Sequence, residues 1–417
     1  MSIENSSATF AGVLKNKQFS RLWLAQFVST FGDWLSLMAL FSFVAFRLQG
    51  SAYQVSGIMT AFIIPRAFLA PVAGAFVDRW DVKKVMVTSD LLRAILALSL
   101  AFTSRLDVIY ILVFALSIGS CFFSPAQTVA VRLIVRKEEL LIANSINTQT
   151  TQLNKVISPA IAGLLLAWAG EQVCFIIDSA SFILSATLLS ITAMQRESII
   201  SGQGLRAIAG EIMEGLRFIR QHKGLLFVIV SMIVAIFAFG TCDVVFTLYV
   251  RDILLARSEV FGILVSLSGI GTILGAVLVV KIKQRLPKVH LITIGLLGIG
   301  VGVLVLAATS SVAVALLCAL WIGVCIAYVM LPAQTLVQEE TPQALLGRVS
   351  STSSASITLS QLLAFAIAGI AASWMGVRNL YYTVGLIMAL VAISAYLYAR
   401  ANHVAEAKGS TAINLAQ

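Results

Sequence analysis

Twelve apolar stretches, each long enough to cross a bilayer, recur along this chain of 417 residues. A membrane-spanning helix needs roughly 20 apolar residues, and the stretches fall near 20–46, 52–77, 84–104, 108–131, 142–168, 173–194, 224–250, 259–281, 289–309, 312–335, 348–374 and 378–400. Connections between them are short and leave no room for a separate soluble domain. Only 12% of the residues are charged and 59% are hydrophobic, about half the charged share of a soluble protein. A soluble enzyme could not cover its surface with so little polar material. The expectation is an all-α membrane protein of twelve transmembrane helices.

The longest polar gap, 195–223, carries Arg196, Arg206, Arg217, Arg220 and Lys223 with Glu211 and Glu214, and splits the spans six and six. Ile208, Ile212, Leu216 and Ile219 recur in it at helical spacing, which predicts an amphipathic helix on the membrane surface. The expected organisation is a six-helix bundle over 1–194, a linker over 195–223, a second bundle over 224–403 and a tail over 404–417.

Lysine and arginine set orientation through their excess in cytoplasmic loops. With the N-terminus inside, 21 of the 29 basic residues fall on cytoplasmic segments and five on outer loops (Arg47, Arg105, Arg251, Arg257 and Arg378). Both termini are therefore expected in the cytoplasm, in a plasma (inner) membrane. The formal charge of +10 is accounted for by loops facing anionic lipid and needs no nucleic-acid partner. The first 19 residues are polar and predict no removable signal peptide. All five cysteines lie in apolar stretches without metal-ligand spacing, so neither a metal nor a cofactor is expected.

The halves repeat. Pro-Ala-Gln-Thr stands at 125–128 and again at 332–335, and Ala-Ile-Ala-Gly at 160–163 and again at 366–369. Phe31-Gly32, followed by Asp33, is echoed by Phe239-Gly240, followed by Asp243. Three matches in one order at nearly one offset argue for duplication of a six-span unit, the parallel repeat of facilitator-type transporters.

The segment Gly74-Ala-Phe-Val-Asp78-Arg79-Trp80-Asp81-Val-Lys83-Lys84 resembles the signature loop of the major facilitator superfamily, G-x-x-x-D-R followed by basic residues. Pro65-Arg66, Trp80-Asp81, Asp90-Leu-Leu-Arg93 and Phe31-Gly-Asp-Trp34 resemble its macrolide-efflux and enterobactin-exporter branch. Asp81 departs from the wider family, where glycine is usual. The resemblance implies a cytoplasmic gate in which Gly74 permits close helix approach and Asp78 and Arg79 latch against span eleven; the competing reading is a solvated loop. The second half has Gly275 followed by Lys281, Lys283 and Arg285 but no acidic residue, so the latch is expected on one side only. Ser158-Pro159-Ala-Ile-Ala-Gly163 resembles, in weakened form, the antiporter element of exporters in this family.

Charges within spans are costly and mark candidate functional sites. Asp33 lies about 13 residues into span one, or ~20 Å at helical rise, and Arg66 and Lys155 reach similar depth. Asp33 is either a proton-coupling carboxylate or half of a static pair with Arg66. Asp243 and Asp178 are further candidates for coupling or substrate contact, with interfacial or helix-packing roles as the alternative. Asp90 and Arg93, three apart on one helical face, are expected to pair. Polar stripes at helical spacing mark one wet or helix-facing side: Ser117, Ser120, Ser124 and Gln127 in span four; Asn144, Asn147, Thr151, Asn154 and Ser158 in span five. From these, Ser120, Ser124, Gln127, Asn147, Thr151 and Asn154 are the expected cavity lining, together with Gln361, which the internal repeat sets opposite Lys155. Trp23, Phe27, Phe31 and Trp34 in span one suit a lipophilic substrate or an interfacial belt.

Three functions fit: a proton-coupled exporter of amphipathic molecules such as drugs, macrolides or siderophores; an uptake symporter or lipid transporter on the same fold; and, least supported, a membrane-embedded enzyme or signalling protein. His222 and His403 lie outside the spans and His290 at the very edge of span nine, and neither G-x-S-x-G nor G-x-x-x-x-G-K-[ST] occurs, so an ion gradient rather than ATP is the expected energy source. The expected partners are a small-molecule substrate, protons and the lipid bilayer, for a monomer.

Overall fold

The computed structural model describes residues 10–77, 80–194, 205–282 and 286–414. Among them there is no strand. The long helices are α1 (Lys17–Ser42), α2 (Ala52–Phe68), α3 (Ala70–Val77), α4 (Val82–Ala101), α5 (Leu106–Ile134), α6 (Leu140–Ala169), α7 (Glu171–Ser190), α8 (Leu205–Gln221), α9 (Lys223–Val244), α10 (Ser258–Ile282), α11 (Lys288–Ala308), α12 (Val312–Glu340), α13 (Gln343–Met375) and α14 (Val377–Asn414). Among the described residues nine helices are long and apolar enough to cross a membrane. The other three expected spans are helical too. Span two is interrupted at Leu69, where Pro71 has no N–H to offer the carbonyl four residues back. Span three carries Lys83, Lys84, Asp90 and Arg93, and span five the asparagine stripe. Span twelve extends as helix to Asn414, so the expected tail after residue 403 is helical through that residue.

The chain divides into two compact units, 1–208 and 209–417. In the first, α1 packs on α6 and α7, α4 on α5 and α7, and α2 on α5; in the second, α9 packs on α13 and α14, α11 on α12 and α14, and α10 on α12. The pairing order is the same in both. Backbone irregularities repeat with it. Span one ends in a π-turn at Phe43–Arg47 and span seven at Tyr249–Ile253, each followed by a left-handed residue, Gln49 and Leu255. Gly170 after α6 and Gly376 after α13 both hold φ near +80°, a conformation that other side chains resist. A duplicated sequence has kept the same strained joints.

Helix starts follow local chemistry. Asn16 caps α1 by accepting from the Gln18 and Phe19 amides, and Asp81 caps α4 by accepting from the Lys84 amide at 3.2 Å. Asp81, the departure from the family pattern, thus replaces a flexible glycine with a helix start. Many large apolar side chains on these helices face outward, Ile95, Ile111 and Leu390 among them, as lipid requires.

The linker helix α8 is held by the second unit. A Cβ on Gly215 would overlap the Thr352 hydroxyl and the Arg348 carbonyl, Ile219 packs with Leu225, Ile229 and Val349, and Glu214 pairs with Arg348. Part of the apolar stripe expected to face lipid is therefore covered by protein, while Met213 and Leu216 stay exposed. Ile208 and Ile212 carry no described side chain.

Glycines decide how closely helices approach. A Cβ on Gly271 of α10 would overlap the Leu320 carbonyl oxygen, and one on Gly323 of α12 the Ser268 carbonyl oxygen; Gly275 sits equally tight against Val324 and Ala327. Gly74, by contrast, has no described atom within 4 Å of where its Cβ would stand. Gly323→Ala should lower stability by about 1–3 kcal/mol, the usual cost of overpacking, whereas Gly74→Ala should leave it unchanged or slightly raised. Thermal melting of the detergent-purified variants checks this; equal effects would be inconsistent with the α10–α12 contact.

Candidate functional site: a buried charge cluster and a second-half cavity

In the first unit the candidate charges gather around Arg93, on the inner face of α4. Its side chain is 3% exposed and its guanidinium bonds Asp90, which is fully buried one turn earlier. The same guanidinium lies 3.7 Å from Asp33 Oδ2 on α1. Phe123 and Phe182 cover it at 4.5 and 4.3 Å, positions that add cation–π attraction where water is excluded. Ser185 donates to the other Asp90 oxygen at 2.6 Å. Gly119 on α5 leaves room for the arginine stem, whose Cγ would stand 3.0 Å from a Cβ there.

The static Asp33–Arg66 pair weighed from the sequence is not the pairing observed. Arg93 is the ion-pair partner of Asp33 and among the described ion pairs none includes Arg66; Arg66 stays within electrostatic reach of Asp33, its guanidinium 4.1 Å from the Phe62 ring, a turn away on its own helix. Helix rotation explains the difference: depth along a span can be counted from sequence, but direction across the bundle cannot. The Asp33 side chain remains 41% exposed, which separates it from the sealed Asp90.

Asp178 is a packing carboxylate in this structure. It is buried on α7 and accepts from Ser36 of α1 at 2.5 Å, while Gly32 allows the approach, its Cβ position lying 2.5 Å from Asp178 Oδ1. Asn154 is likewise fully buried, its amide donating to the Phe27 carbonyl at 3.0 Å. It faces α1 and not a cavity. Trp23 donates to Thr150 at 2.7 Å across the same contact, so part of the span-five stripe joins helices, as polar side chains do where there is no water to hydrate them.

The remaining positions are mixed. Ser120 donates to the Leu116 carbonyl and Thr151 to that of Asn147; Ser124 is exposed and Gln127 half-buried. Asn147 keeps a buried carbonyl oxygen without a hydrogen-bond partner among the described residues. Lys155, Pro159 and Gly163 lie within α6, but their side chains are outside those described, as are Asp78 and Arg79 altogether.

The second unit holds a cavity of about 590 Å³ lined by α9, α11, α12, α13 and Met388 of α14, with Asp243 and Gln361 on its wall. Reading the sequence missed most of its polar lining. In the sequence Gln334 stands out only as the repeat partner of Gln127, and Ser350, Ser353 and Ser354 form no polar stripe of the kind seen in spans four and five. All five cysteines are buried and unpaired, and no group of acidic, histidine or cysteine side chains among the described residues suits a metal.

The sequence profile described as Major Facilitator Superfamily matches residues 22–352 and 228–414. The chain belongs to this superfamily. It is a multi-pass membrane transporter, and its relatives point the same way. An uncharacterized MFS-type transporter, YfiS, of Bacillus subtilis (strain 168) is 27% identical over 390 residues, covering 90% of this chain and 92% of that protein. Macrolide efflux protein A of Streptococcus pyogenes is 25% identical, covering 90% and 94%. Among solved structures, a bacterial homologue of the human lysosomal transporter Spinster, inward-facing and unoccupied, matches with TM-score 0.71 at 13% identity, over 94% of this chain and 97% of that one. A bacterial homologue of the iron transporter ferroportin, inward-facing, gives TM-score 0.69 at 20% identity, over 91% and 98%. At such identity the structures establish the facilitator fold alone.

The geometry ranks the cluster's members. Asp90→Asn would strand a sealed arginine, and removing one partner of a buried pair costs about 3–5 kcal/mol; Asp33→Asn leaves the Arg93–Asp90 contact in place and should cost much less. Melting of the two purified variants should show the larger loss for Asp90→Asn. Equal losses would make Asp33 an obligate structural partner of Arg93.

Proposed function

We propose that this superfamily member is a proton-coupled exporter of amphipathic small molecules, of the drug, macrolide or siderophore kind, working by alternating access as a monomer. The observation that carries the reading is Asp33: a half-exposed carboxylate ~20 Å along a spanning helix, 3.7 Å from a buried arginine already paired to a second carboxylate. Such a group can lose its proton to water while Arg93 lies close enough to stabilise the carboxylate, and take one up when that contact opens, without dismantling the Arg93–Asp90 pair. Similarity to macrolide efflux protein A favours export over uptake, and the Pro159–Gly163 element agrees with it. In this reading Asp78 and Arg79 gate the cytoplasmic side, and the chain is not an enzyme.

Everted membrane vesicles test coupling and direction together. Amphipathic substrates should accumulate when a pH gradient is imposed, and Asp33→Asn should abolish that accumulation at matched protein level. Normal pH-driven accumulation by Asp33→Asn would remove Asp33 from the mechanism and leave it as a helix-packing charge.

Orientation is proposed from the 21 basic residues assigned to the inner side. A cysteine placed at position 205 should react with an impermeant maleimide only after cells are permeabilised; labelling in intact cells would invert the topology.

A further inference from the structure

The cavity of the second unit is graded from end to end. Gln338, Ser350, Ser353 and Ser354 lie where α12 ends and α13 begins, and an apolar middle follows, with Met232 and Ile326 on its wall. Asp243 lies 14 residues along α9 from Ile229 at the polar end, or about 21 Å at helical rise. Among the described residues that line the cavity, Asp243 is the sole charged one. It is exposed to that space, and none of the described ion pairs or hydrogen bonds includes its carboxylate. At the opposite end the Ser353 hydroxyl is buried without a hydrogen-bond partner among the described residues.

These features differ from the Arg93 cluster, where every carboxylate already has a cation or hydroxyl on it. A carboxylate facing an apolar, membrane-embedded space without a counter-ion is costly. A ligand that brings a positive charge supplies the missing partner, whereas an anion is repelled and a neutral molecule leaves the deficit in place. Phe239, one turn from Asp243 on the same wall, adds an aromatic face suited to an amine or onium group. The cavity volume lies within the range of drug-sized sites.

We propose that this cavity is a binding site for lipophilic monocations, with Asp243 contacting the cationic head, the apolar middle holding the body, and Ser353 with the neighbouring serines and glutamines taking a hydrogen-bonding tail. The proposal rests on the exporter reading and narrows its substrate class: amphipathic amines and onium ions are selected, and anionic chelators such as siderophores are disfavoured at this site. Asp243 is then a substrate contact, distinct from the Asp33 group assigned to coupling.

Tetraphenylphosphonium and tetraphenylborate, nearly the same in shape and opposite in charge, separate charge selection from simple lipophilicity. Equilibrium dialysis of both against the detergent-purified full chain should show the phosphonium bound at least about tenfold more tightly than the borate. Asp243→Asn should erase that preference, and Asp243→Glu should largely restore it, which distinguishes a lost contact from a misfolded variant. Equal binding of the two ions by the unaltered protein, failure to bind the phosphonium, or an unchanged preference in Asp243→Asn would each overturn the proposal. The same preparations in everted vesicles separate the two claims. Phosphonium binding through Asp243 without any accumulation overturns export and leaves the site standing, whereas accumulation of amphiphiles with no charge preference overturns the site and leaves export standing.

Discussion

Arg93 is the only described basic side chain with two carboxylates around it, and the N-terminal unit is arranged to keep it there. An ionised group in a bilayer costs several kcal/mol unless it is paired and hydrogen-bonded. That requirement explains features that otherwise look unrelated: the sealed Asp90 one turn away, the Ser185 hydroxyl on the second oxygen of that carboxylate, two phenylalanines on the guanidinium, and Gly119 where the stem passes. α4, α5 and α7 are thereby fixed to one another, and α1 joins them through Asp33 and through the Ser36–Asp178 contact.

The two units share one device for helix association and differ in how far they add a second. Polar side chains reach backbone carbonyls in both, as Asn154 does on Phe27 in the first and Ser360 on Ile233 at the equivalent position of the second. The second unit adds glycine, with Gly271, Gly275 and Gly323 bringing α10 and α12 to backbone contact. It adds stacked tyrosines, Tyr249 and Tyr381 at 4.9 Å, whose hydroxyls donate to the Leu306 and Cys242 carbonyls. Both satisfy the same constraint: lipid offers no hydrophobic force to drive helices together, so close packing and internal hydrogen bonds must do it. Repetition of the π-turns and left-handed residues shows that the scaffold stayed duplicated while the side chains diverged. The divergence leaves the charge cluster in one unit and the cavity bearing Asp243 in the other.

Much of this was legible in the linear chain because it depends on composition and short spacing. Span number and the six-and-six division follow from runs of apolar residues, and the Asp90–Arg93 pair from a separation of three on one helix. Superfamily membership followed from a loop motif and an internal repeat. What could not be read was anything set by the rotation of one helix against another. Asp33, Arg66 and Arg93 sit at countable depths, yet which arginine meets Asp33 depends on a few tens of degrees about each helix axis. The same uncertainty assigned Asn154 to a cavity when it faces α1, and gave no sign of how closely Gly271 and Gly323 bring their helices together. Periodicity fixes the face of a helix; only the packed bundle decides what that face meets, because the energy of a contact inside a membrane depends on its partner's geometry and not on its distance along the chain.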